Sequence, residues 1–493
     1  MADVLLTHSY HLFYDRKQTR KMQPYPPLGT LYAAATLRSL GISVAVFDMM
    51  LNDPEKDFAA ALARHRPALV VVYEDNFNFL SKMCLTRMRE VAYQILAASQ
   101  NVGATVLING SDASDHVEDY LRNGFRCVLV GEAEFTLLET VQQLLRNKKA
   151  ALGGVAGLAY LSPTTGEVVH TARRSQLRHL DALPLPARDL IDMRQYRDAW
   201  KSAHGYFSLN LVASRGCPYR CNWCAKPIYG DTFSARSPRS VAEEMHQLKH
   251  EYEVEHLWFA DDIFGLQAKW VLEFADAVET LDAAVPFKMQ SRVDLMTPVT
   301  TAALRRSGCA EVWMGVESGS QKILNAMEKG IRVEQVAKAC ANLRKEGILA
   351  CYFLQFGYPG ETWEDIKSTV DLVRDTRPDD IGVSVAYPLP GTKFFQQVRA
   401  QLGTKTNWSD SEDLSMMFQG TYTGEFYRAL HDALHAEVDS WNGRAGGNRN
   451  DRRELWDKVV QLEQTSHTPN PTKLDGSHAS SLVQLQLQSE CGT

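Results

Sequence analysis

The chain has 493 residues, 45% hydrophobic and 23% charged, with 53 Lys and Arg against 59 Asp and Glu. At roughly 100–200 residues per domain, this length is too great for one core and predicts two or three domains. The net charge of −6 gives no support to a large nucleic-acid or anionic-membrane surface. No apolar run approaches the ~18 residues of a membrane span, and the opening Met1-Ala2-Asp3-Val4-Leu5-Leu6 lacks the basic start of a signal peptide, so a cytoplasmic protein is expected.

Residues 1–150 alternate short apolar runs with helical periodicity. Strands are predicted at 4–6, 42–47, 69–73, 105–109 and 127–130, and helices at 28–40, 58–66, 83–99, 116–122 and 135–145. Near-continuous Val/Ile/Leu strands between helices predict a buried parallel sheet with helices on both faces. This is a doubly wound, flavodoxin- or Rossmann-like α/β domain, which binds its ligand at the carboxyl ends of its strands. Residues 151–205 read as a connector: 157–161 and 168–171 pair across a turn at 163–166, and Leu-Asp-Ala-Leu-Pro-Leu-Pro at 180–186 reads as a linker.

A second alternating series spans 206–395. Its strands are predicted at 209–213, 256–260, 287–290, 311–315, 351–356 and 382–386. Helices at 240–251, 268–281, 300–306, 320–327, 333–345 and 363–376 lie between them. Six β/α units in about 180 residues predict a full or partial (β/α)6 TIM-type barrel, with its chemistry on the loops after the strands. Residues 396–460 form a helical C-terminal region whose clearest helix is 426–441, and 442–453 is rich in Gly, Asn and Arg. The tail, 461–493, is rich in Ser, Thr and Gln with few large apolar groups, and is predicted to be disordered.

Nine cysteines in this length do not make a disulfide scaffold. Cys84, Cys127, Cys309, Cys340, Cys351 and Cys491 are scattered, whereas Cys217, Cys221 and Cys224 share one loop, in Arg215-Gly216-Cys217-Pro218-Tyr219-Arg220-Cys221-Asn222-Trp223-Cys224. The loop follows a predicted strand, so the thiols gather at that strand's carboxyl end. A closed zinc site needs four ligands, and no fourth Cys or His lies nearby in sequence. A four-iron cluster held by three cysteines leaves one iron open for another ligand. Three buried core thiols, and zinc with a remote fourth ligand, are the competing readings.

Cys-x3-Cys-x2-Cys, with an aromatic before the last Cys, on the first loop of a β/α barrel resembles the radical S-adenosylmethionine (SAM) enzymes. The preceding doubly wound domain narrows the resemblance to the branch with an N-terminal cobalamin (B12)-binding-type domain. The resemblance covers roughly residues 1–440. It implies that Cys217, Cys221 and Cys224 hold a [4Fe-4S] cluster, that SAM chelates the fourth iron, and that one electron cleaves SAM to a 5′-deoxyadenosyl radical which abstracts hydrogen. Trp223 matches the aromatic that packs near the adenine. Asp261 and Asp262 match the position that accepts from the SAM ammonium. They point to opposite faces if the strand extends that far, so only one is expected to bind; a helix N-cap is the bland alternative. Arg292 matches a partner for the SAM carboxylate, with an ordinary salt bridge as the alternative. Glu317 and Ser318 match the ribose-binding segment, against Ser318 or Ser320 as an N-cap. Gly357, Pro359 and Gly360 resemble the adenine-contacting segment, though the same residues make an ordinary turn; 388–392 is similar.

In the first domain, Gly110 and Ser111, and Gly131, Glu132 and Glu134, follow predicted strands and resemble cobalamin-contacting loops. The Asp-x-His-x-x-Gly motif is absent, and His8 and His11 lack its spacing. The resemblance therefore implies either a cobalamin without a protein imidazole or a domain that keeps the fold without the cofactor. The polar and aromatic segment 73–79 lies where it lines a ligand cleft.

The reaction implied is cobalamin-dependent methylation of an unactivated carbon, with methylcobalamin as donor and a second SAM to regenerate it. The alternative is oxidative cyclisation of the anaerobic magnesium-protoporphyrin ester cyclase type. A non-catalytic iron–sulfur or cobalamin sensor is the remote one. Implied partners are a small-molecule substrate and a low-potential electron donor such as flavodoxin or ferredoxin; the acidic charge disfavours nucleic acid.

Overall fold

Residues 2–78, 85–226, 228–402, 414, 416–443 and 449–466 are described by the computed structural model. The Val- and Leu-rich runs of the first third form strands buried on both faces. They are β1 (Val4–Thr7), β2 (Val44–Val46), β3 (Leu69–Tyr73), β4 (Thr105–Asn109) and β5 (Cys127–Leu129). All five pair in parallel in the order β2-β1-β3-β4-β5. One face packs against helices Leu28–Ser39 and Glu134–Arg146 through Ala33, Leu37, Leu137 and Val141. The other packs against Lys56–His65 and Thr86–Asn101 through Phe58, Leu62, Val91 and Ile95. Each such fully buried Leu, Val or Phe contributes about 1.5–3 kcal/mol. The chain leaves β1 in opposite directions to β2 and β3, so the crevice between the carboxyl ends of β1 and β3 is the topological switch point.

The connector expected at 151–205 is corrected in part. β6 (Leu158–Leu161) and β7 (Val168–His170) form the expected hairpin, but it extends the first sheet, with β6 antiparallel to β5. The physical reason is edge protection: without it β5 would leave a row of unpaired backbone groups on a buried strand. Helix Met193–His204 then packs Tyr196 and Trp200 inward, and the Trp200 indole N–H donates to the Pro24 carbonyl at 2.7 Å.

The second sheet is all parallel, in the order β15-β14-β13-β12-β11-β8. Its strands are β8 (Ser208–Leu211), β11 (His256–Phe259), β12 (Phe287–Ser291), β13 (Cys309–Glu317), β14 (Leu349–Phe356) and β15 (Asp380–Val385). It is the expected partial barrel, with β8 and β15 as its edges. Tyr10, Leu12 and Tyr25 from the N-terminal segment join its hydrophobic core. A short antiparallel pair that the sequence analysis did not anticipate, β9 (Ser214–Arg215) with β10 (Ser234–Ala235), closes the base of the cysteine loop.

The C-terminal helix Gly424–Trp441 buries Phe426, Tyr427, Leu430 and Leu434 and packs on β15 and on helix Arg449–Thr465. That last helix takes in residues 461–465, which were expected to begin the disordered tail. The rest of that expectation (467–493), part of the Gly/Asn/Arg-rich stretch (444–448) and the start of the helix expected at 83–99 lie outside the described residues. Among the described residues, no helix is long and apolar enough to cross a membrane.

Candidate active site at the three-cysteine loop

The loop leaves the barrel through Ser214, Arg215 and Gly216. Gly216 has φ +77, and a Cβ there would run into the Thr232 carbonyl, so the turn demands glycine. Cys217, Cys221 and Cys224 are free and half-buried. Burial pushes the Cys217 thiol up, and the Asp262 carboxylate and Cys221 push it further, against Lys226. Cys224 is pushed up to about 12, first by burial, then by Asp262, Cys221 and Cys217. The three thiols and the Asp262 carboxylate are therefore near enough to act on one another's charge, and a cationic centre bound by the thiols would draw their protons off. Among the described residues no group of three His, Cys, Asp or Glu closes on a single metal-ion position. A four-iron cluster takes its ligands at separate corners and does not require that convergence.

The loop is held rigidly. The Asn222 backbone N–H donates to the Met327 carbonyl at 3.0 Å, its side-chain amide donates to the Ala326 carbonyl at 2.7 Å, and it accepts from the Tyr358 hydroxyl at 3.0 Å. Lys226 Nζ donates to the Cys217 carbonyl at 2.9 Å and to that of Tyr219. Five buried or half-buried contacts of this kind preorganise the ligands.

The strand ends at Phe259, short of the adjacent acids, so strand alternation does not reach Asp261 and Asp262. Asp261 is buried and accepts from the Ala213 N–H at 3.0 Å and from the Ser214 hydroxyl; its carboxyl is pushed up to about 7, chiefly by burial. The Asp262 carboxylate acts on the Cys217 and Cys224 thiols through its charge. The Arg292 guanidinium stacks 3.6 Å from the Tyr219 ring centroid and donates to Asp294 at 2.9 Å and to the Lys329 carbonyl at 2.9 Å. It fastens the cysteine loop to the barrel.

Glu317 lies at a register shift of β13, with φ +64, and forms a buried ion pair with Lys329 at 2.6 Å. Lys329 lies close enough to Cys221 to be stabilised as a cation by it, and its Nζ is 5.9 Å from the Trp223 ring. Non-glycine left-handed backbone and a buried charge pair are both costly, and both occur beside the thiols. The Trp223 indole N–H is buried without a partner, a donor left for a ligand. Ser318 is buried against Thr369, 3.2 Å between hydroxyl oxygens, while Ser320 caps helix Gln321–Ala326. Gly357 (φ +77) donates its N–H to Glu361 at 2.6 Å and faces Tyr427; Pro359 and Gly360 follow in the same turn. Glu361 is buried and pushed up to about 8 by that burial.

In the first domain, Gly110 abuts the buried Glu74 side chain, which accepts from the Ser9 N–H at 3.2 Å. The Ser9 and Ser111 hydroxyls and the Asn76 amide oxygen are buried at the switch point without partners. These orphaned polar atoms fit a polar ligand there. His8 Nε2 is engaged by Asp48 at 3.0 Å and by the Met49 N–H at 3.1 Å. The 131–134 loop faces the cysteine loop: Glu132 and Glu134 grip Arg215 at 2.6 and 2.7 Å, and Gly131 (φ +75) lies beside the Ile228 carbonyl. The Arg215 guanidinium sits 5.3–5.4 Å from the ring centroids of Tyr32, Phe77 and Tyr229. Arg215, Lys329 and Tyr219 were not anticipated from sequence; only the position of Arg215, two residues before the first cysteine, was available as a signal.

Residues 211–373 match the radical SAM superfamily. The chain is 27% identical over 390 residues to an uncharacterized methyltransferase of Pyrococcus horikoshii, across 78% of this chain and 81% of the relative. It is 24% identical over 399 residues to the anaerobic magnesium-protoporphyrin IX monomethyl ester cyclase of Rubrivivax gelatinosus, across 79% of this chain and 68% of the relative. The fold is shared with the radical S-adenosylmethionine methyltransferase TsrM of Kitasatospora setae, solved with cobalamin and a [4Fe-4S] cluster. The TM-score is 0.66 at 19% identity, over 82% of this chain and 79% of that one.

Proposed function

We propose that this chain, a member of the radical SAM superfamily through residues 211–373, methylates an unactivated carbon of a small molecule with cobalamin as methyl carrier. The observation that carries the reading is one loop with three free thiols, Cys217, Cys221 and Cys224, tied down by Asn222 and Lys226 beside the buried Glu317–Lys329 pair. When bound, a [4Fe-4S] cluster supplies the electron that cleaves SAM to a 5′-deoxyadenosyl radical, and cobalamin supplies the methyl group.

The three cysteines would hold the cluster. Asp262 is the acceptor for the SAM ammonium, Trp223 offers its unpartnered N–H, and Glu317 is poised for the ribose hydroxyls. Lys329 holds Glu317 in place through their buried ion pair, and its own charge is favoured by Glu317 and Cys221. Ser9, Asn76 and Ser111, with the Gly110 turn, would meet cobalamin at the switch point. Arg215 occupies Glu132 and Glu134, so those acids hold the two sheets together and are not offered to the cofactor. All seven described cysteines are free, which suits a reducing cytoplasm, with a flavodoxin or ferredoxin as reductant.

Oxidative cyclisation is the second reading, favoured by similarity to the cyclase across most of the chain. The test is anaerobic reconstitution with iron and sulfide, then reduction with SAM and chromatography for 5′-deoxyadenosine. Wild type should yield it and Cys221→Ala should not. Cobalamin retained through gel filtration supports methyl transfer. Bound zinc with no product from wild type overturns the reading.

A further inference from the structure

Side chains alternate across a strand, and neighbouring parallel strands keep matched residues on one face. The outward alternates of the second sheet, such as Leu257, Phe287, Val312 and Tyr352, are fully buried beneath the helices. Most of the inward alternates are different, Asn210 and Cys351 being buried. Register aligns Asn210, Trp258, Lys288, Glu311 and Leu349 in one row across β8, β11, β12, β13 and β14. A second row aligns Gln290, Trp313, Cys351 and Asp380.

A closed β/α barrel fills this space with layers of branched side chains. Here Leu349 keeps 47% and Phe353 37% of its surface exposed, and Trp258, Lys288 and Trp313 are only half-buried. The inner face is thus an open slot with aromatic walls. The Trp313 and Phe353 rings lie 4.9 Å apart at 31°, forming a platform. Gly382 beside them leaves it flat, since a Cβ there would sit 3.3 Å from both rings. Across the slot Trp258 packs 4.8 Å from Tyr25.

One charge is out of balance. Lys288 Nζ has no ion-pair or hydrogen-bond partner among the described residues; the Tyr25 ring lies 5.9 Å away, and Glu311 attracts it only at longer range. Its cross-strand neighbour Glu311 is bonded instead by the Trp313 indole N–H. Burial accordingly lowers the Lys288 pKa. An anion arriving in the slot would supply the missing partner, whereas a cation attracted by the rings would meet Lys288 as a like charge.

The slot also borders the chemistry, where the Glu317–Lys329 pair closes its upper end. Gly315, one strand position above Trp313 on the same face, has no side chain and so leaves room for the Glu317–Lys329 pair beside Cys221.

We propose that this slot binds the substrate, and that the substrate is a planar conjugated ring system carrying a carboxylate, with the ring on Trp313 and Phe353 and the carboxylate on Lys288. The word substrate rests on the function proposed above; the binding does not. The test uses the full chain as purified, without reconstitution or SAM, and follows tryptophan quenching by three probes: 1-pyrenebutyrate, 1-pyrenebutanol and 1-pyrenemethylammonium. The carboxylate should bind most tightly and the ammonium least. Lys288→Met should weaken the carboxylate about ten-fold and leave the alcohol within about two-fold, the loss of one charge-assisted contact. Lys288→Arg should keep the preference, and Trp313→Ala should weaken acid and alcohol together. Retained alcohol binding shows that the Met variant is folded; if it is not, Lys288→Arg decides, and an Arg variant that binds acid and ammonium alike overturns the proposal. Equal affinity of wild type for acid and ammonium, or an unchanged acid affinity in Lys288→Met, also overturns it. Because no cluster is needed, failure here leaves the SAM chemistry standing, and a failed cleavage assay leaves the slot standing.

Discussion

Arg215→Met should destabilise the junction between the two sheets by about 3–5 kcal/mol, the cost of removing one partner from a buried ion pair. Three features place it in that class. The Arg215 side chain is 3% exposed, and Glu132 and Glu134 are 9% and 4% exposed. Both contacts are short, and the three surrounding rings add about 1 kcal/mol of cation–π attraction. Methionine keeps most of the packing volume, so the loss is electrostatic. Burial already raises the Glu132 pKa in the intact triad. A carboxyl whose folded pKa lies above its unfolded value loses stability as pH rises beyond about 4.5. Without the guanidinium that rise steepens, so the deficit should be larger at pH 8 than at pH 6. Urea unfolding followed by fluorescence measures it, as a lower midpoint at unchanged slope. Adding Glu132→Gln and Glu134→Gln should restore most of the loss. A deficit below about 1 kcal/mol at pH 8, or one that does not shrink at pH 6, refutes the triad as the joint.

The Glu317–Lys329 pair makes a related prediction. Lys329→Met should cost about 3–5 kcal/mol, and adding Glu317→Gln should recover the stability without recovering 5′-deoxyadenosine formation, which urea unfolding and chromatography separate. Glu361, pushed up to about 8 by burial, should make the protein less stable as pH rises from about 4.5 to 8. Glu361→Gln keeps an acceptor for the Gly357 N–H and should flatten that slope in melts across the range. Gly216→Ala, forced against the Thr232 carbonyl at φ +77, should lower the iron retained after reconstitution while leaving far-ultraviolet circular dichroism unchanged.

Much of the framework was legible because it rests on local patterns. Apolar runs between helical periods marked both sheets, and the spacing of Cys217, Cys221 and Cys224 marked the loop. The alternation argument for Asp261 and Asp262 does not apply, because the strand ends at Phe259; Asp261 is held by Ser214 and Ala213 in the loop beyond it. Glu132 and Glu134 show where such reading stops. An acid after a strand looks the same whether it faces a ligand or an arginine, and the partner here lies more than eighty residues along the chain. Lys329 was missed for the same reason: nothing in Met-Glu-Lys-Gly signals burial, which comes from the distant loop packed above it.

These long-range partners bear on how the cysteines are positioned. The loop is too short to have a core of its own, so its geometry is imposed from outside. On one flank Arg215 is locked into the 131–134 loop of the first sheet. On the other, Asn222 is tied to residues 326 and 327 and to Tyr358, and Tyr219 lies under Arg292. The same 131–134 loop borders the carboxyl ends of the first sheet, where the unpartnered Ser9 and Ser111 hydroxyls gather. One short segment therefore touches both candidate cofactor sites. A shift of that segment by a ligand at the first sheet would be transmitted through a buried arginine held by two acids to a position two residues from Cys217. The first domain is on this argument a structural part of the cysteine site, and not a separate module attached to it.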